Sequence, residues 1–181
     1  MNRESAENYV EPSADDSVAH TKQLISYIRS FPKPATESSN QEPLVQPILT
    51  PRFAIACTDD LLTSLGALSS SDPTLRIQTH ISENPQEIAF TKQLFPGCPT
   101  YASVYDKFHL LRHNTVLAHA VHLEFDEVKI VKERECGISH CPTSNFNISS
   151  GVAPIGAYLD RGIKVLGISR ILGLQTDELR F

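Results

Sequence analysis

The sequence predicts an α/β fold with a parallel sheet, and two observations carry that expectation. Short apolar runs with the character of buried strands recur along the chain. Stretches of helical period separate them, with no hairpin signal between. The runs fall at 44–49, 75–81, 115–118, 137–140 and 163–166. Taken in order, the first helix is expected from Asp15 to about Ser30, with Val18, Ile25 and Ile28 inward. Residues 31–43 break the rhythm. Pro32, Pro34, Pro43 and the nearby Pro47, with Ser38, Ser39 and Asn40, mark an exposed loop. Thr58 is placed to cap a helix whose face is Leu61, Leu65 and Leu68. Asn84-Pro85-Gln86-Glu87 is a second start signal: a cap residue, a proline at the first helical position and an acid at the third. Val104, Phe108 and Leu111 form a further helical face, and Phe125, Val128 and Val131 another.

A chain of 181 residues with 40% apolar and 20% charged residues suits one globular domain. A net charge of −5, with no cluster of lysine and arginine, argues against nucleic acid as a partner. No apolar run approaches the roughly 18–20 residues of a membrane-spanning helix, so no membrane partner is expected. Cys57, Cys98, Cys136 and Cys141 form no C-x-x-C pair, and the first residues lack the apolar region of a signal peptide. Reduced thiols and a cytoplasmic location are the expectation.

Polar residues with chemical potential close the apolar runs. Arg52 follows the first, His80 and His119 end the next two, and His140 ends the fourth. In a (β/α)8 barrel the C-terminal strand ends form one face, where residues from successive strands converge. The pattern therefore predicts a partial (β/α)8 barrel of about five parallel strands with outer helices. Imidazoles converging from neighbouring strands suit zinc. Glu83, three residues beyond His80, stands where an acid could move protons between water and a substrate nitrogen. Each residue also has a plainer reading, as a structural histidine, a helix-start acid or a surface arginine. That reading suits His20, His109, His113 and His122.

Thr50-Pro51-Arg52-Phe53, Gln78-Thr79-His80-Ile81-Ser82-Glu83-Asn84, Tyr101-Ala102-Ser103-Val104-Tyr105-Asp106, Leu117-Ala118-His119 and His140-Cys141-Pro142-Thr143-Ser144-Asn145 together resemble the guanine deaminases of the amidohydrolase superfamily. The resemblance runs from near the N-terminus to Leu166, giving a barrel segment over 1–166 and a divergent tail over 167–181. It implies a zinc-dependent hydrolase that converts guanine to xanthine and ammonia. His80 and His119 would be metal ligands, Glu83 the proton shuttle, and Arg52, Phe53 and His140 the contacts to the purine. Ser144 and Asn145 would support the loop beside His140. A homo-oligomer is possible for the full-length family. Two departures stand beside the likeness. The family's H-x-H pair does not occur in this sequence, and its last ligand has only a displaced echo, Asp177 in Gly173-Leu174-Gln175-Thr176-Asp177. The expectation is an incomplete chain, inactive by itself. The alternatives are a non-enzymatic product that binds a partner through an open sheet edge, or a deaminase of another amino-purine or a triazine.

Overall fold

The computed structural model describes residues 1–3, 7–31, 43 and 45–167. Five parallel strands form one sheet in the order β1-β2-β3-β4-β5. They are β1 Ile48–Leu49, β2 Arg76–Ile81, β3 Thr115–His119, β4 Gly137–His140 and β5 Lys164–Gly167. Helices connect them: α1 Ala14–Arg29 before β1, α2 Asp59–Ser71, α3 Pro85–Leu94 with α4 Tyr101–Lys107, α5 Phe125–Glu133, and α6 Pro142–Asn147 with α7 Ile155–Asp160. The α/β alternation and the five parallel strands agree with the sequence expectation.

Local chemistry explains the helix starts. Ser13, Thr58, Asn84 and Thr100 each accept a backbone N–H three residues on, which satisfies one of the donors a helix N-terminus leaves open. Glu127 does this for two helices at once. Its buried carboxylate accepts the N–H of Ala102 at 2.9 Å and that of Glu124 at 2.8 Å, joining the starts of α4 and α5. Burial raises its pKa, and those two bonds hold the rise in check.

Two elements are shorter than the sequence pattern implies. The run at 44–49 yields only a two-residue strand, because Pro47 brings no N–H to the ladder; Leu44 lies outside the described residues. The face Val104, Phe108 and Leu111 is buried throughout, but α4 stops at Lys107. His109, at φ 58°, turns the chain out of the helix, so Leu111 reaches the core from a loop. The greater part of the proline-rich loop and of the tail, Asp177 included, lies outside the described residues.

The core lies between the sheet and its helices. Leu49, Ile77, Ile81, Leu117 and Ile138 from the strands pack with Leu61, Leu62, Leu65, Val104 and Val131 from the helices. The opposite sheet face carries Gln78 exposed and His80 half-buried, so the polar strand ends look away from the core. No helix among the described residues is long and apolar enough to cross a membrane.

At Gly66, α2 packs closely against the backbone at the end of α4. A Cβ there would stand 2.0 Å from the carbonyl oxygen of Phe108. Helix propensity alone favours Gly66→Ala by about 1 kcal/mol. Backbone cannot yield as a flexible side chain can, so the sign reverses. Gly66→Ala should destabilise the fold by about 1–3 kcal/mol in urea denaturation; an unchanged or raised midpoint would show that the two segments separate freely.

Candidate active site

The C-terminal ends of β1, β2 and β3 surround a cavity of about 340 Å³ lined by Arg52, Phe53, His80, Glu83, Glu87 and His119, among others. Arg52 and Phe53 follow β1, and the Arg52 guanidinium lies over the Phe53 ring, 5.2 Å from its centroid. The Phe53 and His80 rings meet edge to face at 6.4 Å.

His80 is fixed from the first strand's loop. The Arg52 carbonyl accepts both the His80 backbone N–H at 3.0 Å and its ring Nδ1–H at 2.5 Å. That second bond sets the tautomer and leaves Nε2 with a free lone pair. His119 is treated alike from the fourth strand's side, because Oδ1 of the buried Asn145 accepts its Nδ1–H at 2.8 Å. The two imidazoles stack with centroids 5.2 Å apart and planes 23° from parallel.

Strand alternation by itself would not bring them together. In the β2–β3 register His80 pairs with Ala118, while His119 pairs with the buried Ile81, one step out of phase. His119 has φ 72° and the following Ala120 φ 50°. A left-handed backbone at a strand end breaks the period of two and turns the ring toward His80. Ser82, between His80 and Glu83, has φ 48° and makes a similar break. Non-glycine residues in this region cost of order 1–3 kcal/mol each and persist only where their surroundings hold them.

Glu83 approaches the same ring. Its Oε1 stands 3.2 Å from His119 Nδ1, yet that nitrogen's one proton is already given to Asn145. Glu83 Oε1 is therefore a buried carboxylate oxygen with no hydrogen-bond donor among the described residues. His140 ends β4 as expected but is not among the residues lining the cavity. Its Nδ1 is buried and unpartnered, and burial lowers its pKa. Ser144 of α6 does line the cavity, and Asn145 bonds His119 rather than supporting only the loop around His140.

Among the described residues no three of His, Cys, Asp and Glu are grouped to hold a metal ion. The donor chemistry nevertheless fits two positions of a zinc centre. Each imidazole gives its Nδ1–H to a carbonyl oxygen and presents Nε2, the usual arrangement of metal-bound histidines. A catalytic zinc takes at least three protein ligands, so these two supply part of a set. Sequence reasoning missed the role of Glu87, legible only as a helix-start acid, and marked Tyr105 only as part of a resembling segment, with no role for its hydroxyl.

Comparison with known proteins places the chain. The model of the amidohydrolase family matches residues 12–178. A probable guanine deaminase of Schizosaccharomyces pombe is 48% identical over 177 residues, which is 98% of this chain and 31% of that protein. The guanine deaminase of C. acetobutylicum, solved with guanine in its active site, superposes with TM-score 0.83 at 35% identity, covering 94% of this chain and 38% of that one. The zinc complex of an atrazine chlorohydrolase from Arthrobacter aurescens superposes at 0.77 with 24% identity over 91% of this chain and 34% of its own, a likeness of fold. The chain thus spans about a third of the length of the relatives it matches.

The unpartnered oxygen of Glu83 has a measurable consequence. An unsatisfied buried polar group costs about 1–3 kcal/mol, and more when charged. Glu83→Gln removes the charge without changing the volume and should stabilise the fold by about 1 kcal/mol in urea denaturation. A lowered midpoint would mean that the carboxylate contributes to folding, contrary to the geometry.

Proposed function

The chain belongs to the amidohydrolase family, and on that premise we propose that it carries the purine-facing, proton-shuttling part of a zinc-dependent guanine deaminase, which hydrolyses guanine to xanthine and ammonia. The observation that carries this reading is the unpartnered carboxylate oxygen of Glu83, held beside two stacked imidazoles at the wall of a cavity of about 340 Å³. A cavity of that size is at the lower end of small-ligand sites and suits one bicyclic base.

In this mechanism His80 and His119 would hold zinc, with the free Nε2 of each as the donor, together with ligands outside the described residues. The metal, when bound, supplies the Lewis acidity that makes water a nucleophile near neutral pH. The remaining work belongs to side chains of this chain. Arg52 donates hydrogen bonds to the acceptor edge of the purine, and Phe53 contacts its ring face. His140 ends β4 outside the lining of this cavity, so its role as a purine contact requires the bound base to reach beyond that lining; burial lowers its pKa. Glu83 Oε1 accepts a proton from the attacking water and delivers it to the amine nitrogen as the C–N bond breaks. With its oxygen unpaired in the resting fold, Glu83 has no hydrogen bond to surrender before taking that proton. Guanine is preferred to a triazine because Thr50-Pro51-Arg52-Phe53 matches the guanine deaminases, while the likeness to the triazine enzyme is one of fold.

The test is a hybrid in which residues 12–167 replace the matching segment of the S. pombe relative. The hybrid should release xanthine and ammonia from guanine. Glu83→Gln within it should lower kcat by about 10²–10⁴-fold, the usual contribution of a positioned proton-transfer group. A hybrid that turns over another amino-purine or a triazine but not guanine would overturn the substrate. Full activity with Glu83→Gln would overturn the shuttle. The 181-residue chain alone should release no xanthine, since among the described residues two imidazoles face the cavity, short of the three protein ligands that a catalytic zinc requires.

A further inference from the structure

At the cavity wall and behind it, helices α3 and α4 contribute two side chains that bond the backbone of the site, Glu87 and Tyr105, and a third, Tyr101, that bonds Glu87. Glu87 of α3 accepts the Glu83 backbone N–H through Oε2 at 2.9 Å and the Tyr101 hydroxyl through Oε1 at 2.8 Å. Tyr101 and Tyr105 stand one helical turn apart on α4, both fully buried, with rings stacked at 5.5 Å. The Tyr105 hydroxyl accepts the Ala54 N–H at 2.9 Å and the Thr79 hydroxyl at 2.8 Å, and donates to the His80 carbonyl at 2.8 Å. One donor and two acceptor positions are all a phenol has, so this hydroxyl is saturated. Burial raises the pKa of Tyr105, which keeps the proton on the oxygen.

We propose that Glu87 and Tyr105 are positioning residues: Glu87 fixes the backbone of Glu83, and Tyr105 fixes the backbones of His80 and of Ala54, next to Phe53. The inference rests on the reading of Glu83, His80 and Phe53 given above and adds the groups that set where they stand. The two anchors act on different parts of the site. Glu87 has a single bond to the segment bearing the carboxylate. Tyr105 ties the loop after β1 to the end of β2, which is the seam between the purine-contacting pair and the first imidazole. The left-handed turn at Ser82 makes the first anchor necessary, because a backbone away from its preferred region stays there only when bonded. Acceptor chemistry explains the carboxylate. Glu87 faces two donors, an N–H and an O–H, and only an acceptor with two oxygens meets both without rearrangement.

The test reads the backbone directly, by residue-resolved amide exchange in the 181-residue chain, with the urea midpoint of each variant as a measure of global stability. Glu87→Ala should speed exchange at Glu83 about tenfold, the change expected for loss of one hydrogen bond of ordinary net strength, while Ala54 keeps its protection. Tyr105→Phe should do the reverse, exposing Ala54 and sparing Glu83. Glu87→Gln should restore protection at Glu83, since its amide oxygen can accept that N–H while its NH2 turns to the Tyr101 oxygen. In the hybrid enzyme Glu87→Ala should lower kcat with KM unchanged, and Tyr105→Phe should raise KM. Exchange that accelerates evenly along the chain, in step with the midpoint, would reduce both residues to structural roles and overturn the proposal. So would unchanged exchange at Glu83 in Glu87→Ala. Should Tyr105→Phe fail to fold, the Glu87 pair decides alone: loss at Glu83 in the alanine variant with recovery in the glutamine variant supports positioning, and any other outcome refutes it. The exchange result holds whether or not the hybrid accepts guanine, so a wrong substrate and a wrong positioning role are told apart.

Discussion

Everything at the site depends on the pairing of β2 with β3. Five residues of each strand run in register, from Ile77 beside Thr115 to Ile81 beside His119. This ladder brings the two histidine-bearing strand ends to the same height above the core. The backbone hydrogen bonds are ordinary, but they leave the imidazoles one residue out of phase. Had the ladder continued unbroken, His119 would point with Ile81 toward the helices. The left-handed turn that begins at His119 corrects the phase. The turn is held in turn by the Ala120 and Val121 amides, which donate to the carbonyls of Ile81 and Ser82 across the strand ends.

Hydrogen-bond satisfaction is distributed unevenly around this pair. Several groups around the site are fully engaged: Tyr105 is saturated, Glu87 and Glu127 each accept two donors, and the Arg52 carbonyl accepts two from His80. Glu83 Oε1 at the cavity wall is buried without a partner, as are His140 Nδ1 and Asn145 Nδ2 beyond the lining and, among other described residues, Ser82, Thr91, Asn114 and Ser150. An unsatisfied acceptor at the cavity wall, such as Glu83 Oε1, is what a preorganised site requires, since the missing partner is left for the ligand to supply. The surrounding network holds the backbone while these few groups stay free.

Much of this was legible in the sequence, and the reasons differ from residue to residue. His80 and His119 announced themselves by closing apolar runs, because a core has no use for imidazoles at successive strand ends. Thr58 and Asn84 were legible as caps because capping is local chemistry, set within three residues. Tyr105 was not. Its partners are Ala54, Thr79 and His80, brought near only by tertiary packing, and in sequence it reads as one more apolar residue of α4. The early end of α4 was hidden for a related reason. The periodicity of Val104, Phe108 and Leu111 reports burial, and burial persists when the last of the three arrives from a loop. The phase error at His119 lay beyond reach, since no pattern of residue types signals a left-handed histidine.

The parallel arrangement also has a kinetic side. Each strand pair here is joined through a crossover with at least one helix, so no pairing of the sheet is local in sequence. Contacts of this kind repay their loop-closure entropy only late in folding. Helices α2 and α3, with their own caps, can form early and on their own terms. The two imidazoles meet only after the chain between β2 and β3 has closed and the ladder has zipped to its last residue. The chemistry-bearing end of the sheet thus owes its geometry to pairings distant in sequence and to no hairpin turn, so the site exists only where the whole sheet does.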